Sequence, residues 1–587
     1  IGSIKCYLHA NRCDMMPSMI PNFRMMTAHL AALLVLAALL GAGMQAAVAE
    51  ENTMTMSIGD YANIGTDPTL DRTIWTDVGG FQEHHYYTHW EPLITLDSDG
   101  KVIPWLAESY DVSNDYKTIT FHLRKGVKFA DGTPLNASIL KFNFDRIETF
   151  GFKDLGTNRS KQNVLVNYES SDASDEYTFT IHFTKGWLDM PFELAMTNRA
   201  YGTGTFISPL DVNPAWDIKG MLKPEKKYNG LGPYYVDENE STPNQKIVLK
   251  KRHSWRDDLN FHKPKLDKIV LTLIKDPQIA VMALENGDID CICRYWNAPL
   301  DALLNLEKNP DISIKTDPDA SIYLLRTAYW KEPFTGTDGV LLRKAINYAM
   351  NRTEMAEGAF NGYALPATDS MGLSIRRPDI PECCGKGYNY DLEKSKQLLS
   401  EAGWKDADGD GILDKNGKSL KDLDLAISSA SYYVWQKDLA PIVQSQLKKI
   451  GIDVKIQTLE SSAYTKAIHD GEFDLGMIGT LGRANPVSID LNIFNLKKLR
   501  GFKTNWYGNQ NGTLETITDK VQNTVNGEER DKGICQICDI LYEEAGLIPL
   551  VYEMQYAVMN SKVKGFEFGP STNYYYMGHV EECWIED

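Results

Sequence analysis

The sequence holds no block of basic residues. Its 587 residues include 61 lysines and arginines against 79 aspartates and glutamates, a formal net charge of −18. Neutralising phosphates supplies most non-specific nucleic-acid affinity, so nucleic acid is excluded as a partner, and anionic membrane surfaces are disfavoured on the same ground. Outside one N-terminal segment, no stretch approaches the about 18 apolar residues that a membrane-spanning helix needs. No internal repeat and no low-complexity linker interrupts the chain. It also lacks a Gly-x-Ser-x-Gly elbow, a His-Glu-x-x-His pair and a phosphate-binding P-loop, which weakens any reading as an exported hydrolase. Asp288 and Asp290 are paired acids, but they fall on opposite faces of an expected strand. What is present is ordinary globular material: 43% hydrophobic and 24% charged, with 12 Trp, 29 Tyr and 20 Phe to fill a core and line a pocket.

The N-terminal exception runs from Leu30 to Leu40, LAALLVLAALL. Arg24 precedes it and Ala47-Val48-Ala49 follows, the charged, apolar and small-residue order of a secretory signal peptide. The run is too short to span about 30 Å of hydrocarbon at 1.5 Å per residue. No cysteine follows it to carry a lipid anchor. Residues 1–49 are therefore expected to be removed near Ala49, leaving a soluble, extracytoplasmic and monomeric body; an uncleaved anchor extending to Ala49 is the alternative, which Gln45 and the glycines weaken. Cys6 and Cys13 fall in the removed part, so of nine cysteines an odd number remains. They are Cys291, Cys293, Cys383, Cys384, Cys535, Cys538 and Cys583. The spacing of Cys535 and Cys538 places both on one helix face. They read first as small buried hydrophobes, with a redox or metal role as the alternative; the pairing stays open.

Periodicity supplies the elements. TMTMSIGD, YKTITFHLRKGVKFADG and EYTFTIHFTKG alternate as strands, with Ile119, Phe121 and Leu123 on one side. ASILKFNFDRIETF follows as a helix, and NQKIVLKK and KIVLTLIKD as further strands. After about residue 300 the rhythm becomes βαβ, the sign of a parallel or mixed α/β lobe. GVLLRKAINYAMNRTEMAEGAF is expected to be helical, with Leu341, Ala345, Tyr348 and Ala349 on one face. A second helix, DLEKSKQLLSEAGW, is capped by Asp391 and stopped by Gly403. GLIPLVYEMQYAVMN reads as extended chain returning to the first lobe.

These blocks, in this order, resemble the large solute-binding proteins of ABC importers, the peptide/nickel-binding class. The resemblance rests on WEPL at Trp90–Leu93, KTITFHLRKGVKFADGTPLNASILKFNFDRI, Gly230-Leu231-Gly232-Pro233-Tyr234, ALENGDID, LRKAINYAMNR, SKQLLSEAGW, QLKKIGIDVKIQ, GEFDLGMIG and EEAGLIPLVY. It implies an α/β, bilobed periplasmic-binding-protein-like fold with two crossing hinge segments and an extra subdomain in the first lobe. The boundaries it suggests are 50–297 for lobe I, with the subdomain at about 100–225, 298–549 for lobe II, and 550–587 for the return. It implies a peptide or a nickel or other metal chelate as guest, a membrane permease as partner, no catalysis and no required cofactor. A solute sensor for a membrane receptor would share the fold.

In the resembled family the loop after the FDL block carries ligand contacts. Here that loop holds Arg483 and Asn485, with Asn485-Pro486 where an acid-Pro pair is expected. The guanidinium of Arg483 suits an anionic group of the guest or, equally, a lobe-surface acid such as Asp490. Glu83, His84, His85 and His89 lie together before WEPL, and His85 and His89 share a helical face as two imidazoles on one metal must. Tyr432, Tyr433, Arg199 and Arg159 are further contact candidates. Asp406, Asp408, Asp410 and Asp414 resemble the start of a calcium loop, although Gly417 stands where the bidentate glutamate is needed. A plain solvated loop is the favoured reading there.

Overall fold

The computed structural model describes residues 51–58, 91–97, 101–146, 167–196, 206, 208–209, 230–242, 245–252, 264–292, 300–369, 380–430, 433–480, 512–568 and 580–586. Asn52–Asp587 cluster as one unit. The expected signal segment lies outside the described residues, and among those described no helix is long and apolar enough to cross a membrane.

Strand β1 (Thr53–Ile58) opens the first lobe. The chain then leaves for an inserted subdomain: β2 (Ile94–Leu96), β3 (Val102–Pro104), β4 (Ala107–Val112), β5 (Thr118–Leu123), α1 (Ala137–Arg146), β6 (Tyr168–Ala173), β7 (Thr178–Phe183) and α2 (Met190–Met196). Strands β4-β5-β7-β6 form an antiparallel sheet. The alternation read in the sequence is the burial pattern: Ile119, Phe121 and Leu123 on β5, and Phe179, Ile181 and Phe183 on β7, are all buried. Phe121 stacks on Phe179 at 6.5 Å, and Phe144 of α1 closes on Phe179 at 5.2 Å. This subdomain has a core of its own, ending at Leu231.

Back in the first lobe come β8 (Tyr234–Val236), β9 (Lys246–Lys251), β10 (Lys268–Leu273), α3 (Pro277–Glu285), β11 (Cys291–Ile292) and α4 (Leu300–Leu306). A long strand, β12 (Ile312–Thr327), leads out. The second lobe follows as α5 (Gly336–Ala349), α6 (Arg352–Phe360), β13 (Ala364–Pro366), α7 (Leu392–Glu401), β14 (Asp414–Lys415), β15 (Lys418–Ser419), β16 (Leu423–Ser428), α8 (Val434–Lys448), β17 (Val454–Leu459), α9 (Ser461–Asp470), β18 (Leu475–Thr480), α10 (Thr513–Gln522) and α11 (Gly527–Glu544). A second long strand, β19 (Leu547–Asn560), returns, followed by β20 (Val563–Lys564) and β21 (Trp584–Ile585). One sheet runs through both lobes in the order β17-β16-β18-β12-β19-β11-β1-β10-β9-β8.

Asp391 caps α7, accepting from the Lys394 N–H at 2.9 Å, and Gly403 takes the left-handed turn after it at φ +82°. The single helix expected over Gly339–Phe360 is two. Met350 ends the first and Asn351 caps the second, its side chain accepting from the Glu354 N–H at 3.2 Å. The buried face of α5 is also shifted by one residue: Leu342, Ala345, Ile346 and Ala349 are buried, while Leu341 and Tyr348 only flank the core. Nor are Cys535 and Cys538 isolated small hydrophobes. Cys535 is bonded to Cys383 and Cys538 to Cys384.

Candidate functional site

The two long strands carry the central geometry. β12 and β19 pair antiparallel from Ile312↔Asn560 to Pro318↔Met554; the ladder then breaks and resumes at Ile322↔Tyr552. On the first-lobe side of the break β19 takes β11 as neighbour, with Ile292↔Val558. On the second-lobe side β12 takes β18, with Ile322↔Thr480. β11 runs antiparallel to β19 and therefore toward the break, and β1 runs parallel to β11. β18 runs antiparallel to β12, again toward the break, and β16 runs parallel to β18. The carboxyl ends of parallel strands from both lobes thus face one irregularity from opposite sides. Ligands of open α/β sheets bind at such carboxyl ends, where strand order switches. β12 and β19 stay paired across the break while their outer neighbours differ on its two sides, with β18 added beside β12 and β11 replaced by β13 beside β19, and two such crossing strands are also what a hinge needs.

The sequence-expected contacts follow these strand ends. Glu83, His84, His85 and His89 come after β1, Tyr432 and Tyr433 after β16, and Arg483 and Asn485 after β18. Of these only Tyr433 is described; the others, with Arg159 and Arg199, lie outside the described residues. Tyr433 is half-buried at the start of α8, its ring 5.4 Å from Tyr464 and 6.4 Å from Trp435. Trp435 stacks on Tyr323 at 3.9 Å, and Tyr323 is the second residue after the ladder break. The chain of rings therefore ends on the hinge strand. Buried Gln436 fixes this corner: it accepts from the Ser428 N–H at the end of β16 and donates to the Met477 carbonyl of β18. Sequence reasoning missed Tyr323, Trp435 and Gln436, because a glutamine in a helical stretch looks solvated until its strand partners are known.

Two further contacts join the parts of the chain on either side of the break. Tyr363, which follows α6 of the second lobe, packs in a core cluster otherwise drawn from the first lobe and β19. Its hydroxyl donates to Glu307, and its ring lies 5.8 Å from Tyr556. Burial and the Glu307 carboxylate push the Tyr363 phenol well above its ordinary value. The subdomain also touches the second lobe. The Leu188 N–H donates to the Thr524 carbonyl at 3.1 Å. Beside it Arg530, in the first turn of α11, pairs with Asp189 at 3.5 Å, with side chains 7% and 13% exposed. The subdomain is tied to the first lobe through Gly230, whose carbonyl accepts from Arg252 at 2.9 Å. The Asp189–Arg530 contact therefore clasps one lobe to the other.

Asp406, Asp408 and Asp410 present oxygens within 4.8 Å of one another on an exposed loop. These carboxylates are engaged by the loop itself. Asp406 accepts from the N–H groups of Gly409 and Gly411, at 2.7 and 3.0 Å, and Asp408 from that of Asp410 at 3.1 Å. Asp410 accepts from Ile412 and from the Lys421 ammonium at 2.8 Å, which holds its carboxyl below the usual range. Asp414 sits in β14, its backbone bridged to Lys405. Asp290 is likewise structural: its carboxylate accepts from the Thr55 N–H at 2.7 Å and joins β11 to β1.

The model of the bacterial extracellular solute-binding proteins, family 5, middle region, matches residues 101–499. The chain belongs to that family. Among the relatives of this family 5 binding protein is the nickel-binding periplasmic protein of Escherichia coli K12, 26% identical over 85% of this chain and 92% of that one. The glutathione-binding protein GsiB of the same strain is 28% identical over 83% and 87%. Among solved structures, NikA from Brucella suis in complex with Fe(III)-EDTA superposes with a TM-score of 0.74 at 23% identity, over 91% of this chain and all of that one. The two Escherichia coli relatives bear the names of binding proteins, and the chain shares its bilobed α/β fold with the solved structure.

Proposed function

We propose that this family 5 protein captures a small solute at the hinge between its lobes and delivers it unaltered to the permease of an ABC importer outside the cytoplasm. The observation that carries the reading is the convergence of parallel-strand carboxyl ends from both lobes on the Pro318–Ile322 ladder break. We place the lobe boundary at that break, with lobe I running to Pro318 and again from Met554, in place of the boundaries at 297 and 550 that the resemblance suggests. The guest is a peptide or a metal chelate. Arg483 and Asn485 would hold an anionic end of it, with Tyr432, Tyr433, Arg199, Arg159 and Glu83 around it and His84, His85 and His89 offered to a chelated metal. The job needs no nucleophile and no resident cofactor. The 406–414 loop is read as a self-braced turn, since its own N–H groups and Lys421 already occupy carboxylate oxygens that calcium would take. Closing the hinge excludes water and strengthens the few polar contacts that grip the guest.

Native mass spectrometry with metal analysis of the purified chain tests this directly. The expected spectrum shows a bound small species, or acquires one from a peptide mixture or from nickel(II) with L-histidine, and scattering shows compaction on binding. Steady conversion of any bound species into product would overturn the reading, as would scattering profiles unchanged by every one of these probes.

A further inference from the structure

Four cysteine sulfurs meet at one joint of the second lobe. Cys383 and Cys384 lie in a 3-10 turn over Glu382–Gly385; Cys535 and Cys538 lie one turn apart on α11. The bonds are Cys383–Cys535 and Cys384–Cys538, with Cα separations of 5.6 and 5.2 Å. The sulfurs of Cys383 and Cys384, which are not bonded to each other, are 3.9 Å apart. In a tetrahedral tetrathiolate site each sulfur is about 2.3 Å from zinc, which sets the sulfurs about 3.8 Å from one another. The unbonded pair already has that spacing.

The joint does not depend on the sulfur bonds. Lys386 pairs with Asp539, the Tyr388 hydroxyl donates to the Tyr542 carbonyl, and the two tyrosine rings stack at 4.9 Å. These contacts tie residues 386 and 388 to α11 directly after the vicinal cysteines, so cleaving the disulfides leaves the four thiols facing one another. Cys384 and Cys538 are buried, whereas Cys383 and Cys535 are half-buried and give access from outside.

We propose that, with both disulfides reduced, Cys383, Cys384, Cys535 and Cys538 form a four-thiolate site for a borderline-soft divalent cation of the zinc(II) class. A dithiol reductant supplies the two electrons and two protons that open each disulfide and is itself oxidised to a disulfide. Metal binding then forms four metal–sulfur bonds and releases four protons. Soft thiolates select zinc over the hard cations magnesium and calcium. The joint is held covalently where thiols are oxidised and by metal where they are not. Nothing in this depends on which solute the hinge grips.

The full chain is reduced anaerobically with a phosphine, the phosphine is removed, and cobalt(II) is added as a spectroscopic probe. The expected result is one cobalt per chain with thiolate-to-cobalt charge transfer and tetrahedral d–d bands, which one equivalent of zinc(II) bleaches. Cys535→Ser with Cys538→Ser abolishes the bands. Because that variant also loses both disulfides, a second measurement uses the wild-type sequence: zinc must shield these four cysteines from alkylation, read by peptide mass spectrometry. A reduced wild-type chain without the charge-transfer band, bands that persist in the double variant, or alkylation of all four cysteines at the same rate with and without zinc each overturns the proposal.

Discussion

The clasp between Asp189 and Arg530 is the contact most exposed to test. Arg530→Gln removes the charge while keeping much of the side chain's length, and leaves the Asp189 carboxylate, 13% exposed, against the seam. Breaking a buried pair from one side costs about 3–5 kcal/mol. The 3.5 Å separation is longer than a charge-assisted hydrogen bond of about 2.8 Å, and Arg530 also holds Asp531 at 3.0 Å, so the value here is placed lower, near 2 kcal/mol. On the proposed hinge motion, opening at the Pro318–Ile322 break separates Asp189 from Arg530, so the loss falls on the closed arrangement alone. At about 1.4 kcal/mol per factor of ten, the closed-to-open ratio falls about 30-fold. If the free protein is mostly open, the dissociation constant for whichever solute native mass spectrometry identifies rises by that factor. Neither residue is among the expected ligand contacts. Calorimetric titration of Arg530→Gln, Asp189→Asn and the double variant is the assay, with scattering as the readout of closure. The double variant should bind no worse than the weaker single one, since both remove the same pair. Affinities within twofold of the original in both single variants, with unchanged scattering, would refute the argument.

The two disulfides close nearly the same loop, with sequence separations of 152 and 154. Loop entropy assigns about 5 kcal/mol to the first closure and almost nothing to the second. Cys383→Ser with Cys535→Ser should therefore cost under about 1 kcal/mol in urea melts, and replacement of all four cysteines by serine about 5 kcal/mol; equal halves would contradict this. Burial raises the Asp290 carboxyl above its ordinary value. Its contribution to stability is therefore full below the unfolded value of about 3.9 and is lost as pH rises through the raised folded value. Asp290→Asn should flatten that stretch of the stability–pH curve, and an unchanged slope would show that burial does not set it. Asp406→Ala removes the acceptor of two loop N–H groups and should cost about 1–2 kcal/mol. Millimolar calcium should leave the melting temperature of the original chain unchanged, and a rise of several degrees would restore the cation reading of the loop.

Much of the architecture was legible locally. Period-two burial in β5 and β7, the Asp391 cap and the βαβ rhythm of the second lobe depend on neighbours a few residues away, and such neighbours are what a sequence displays. The split between α5 and α6 was missed because Asn351 sits inside a run of good helix formers. Its cap to Glu354 is a local signal hidden by an uninterrupted pattern. Tyr323, Trp435 and Gln436 were missed for a different reason: their partners are on other elements, and no spacing rule connects them.

By itself the sequence determined most of the strands and helices, the acidic charge and the order of blocks that carries the family. Each of these is fixed by side-chain period, capping chemistry or composition. Only the tertiary structure decided that Cys383 meets Cys535, that Asp189 meets Arg530, and that β12 and β19 stay paired across the Pro318–Ile322 break while their outer neighbours change. Those facts join residues well over a hundred positions apart, and contacts across such distances are set by how the lobes bury their separate cores, which no local pattern encodes.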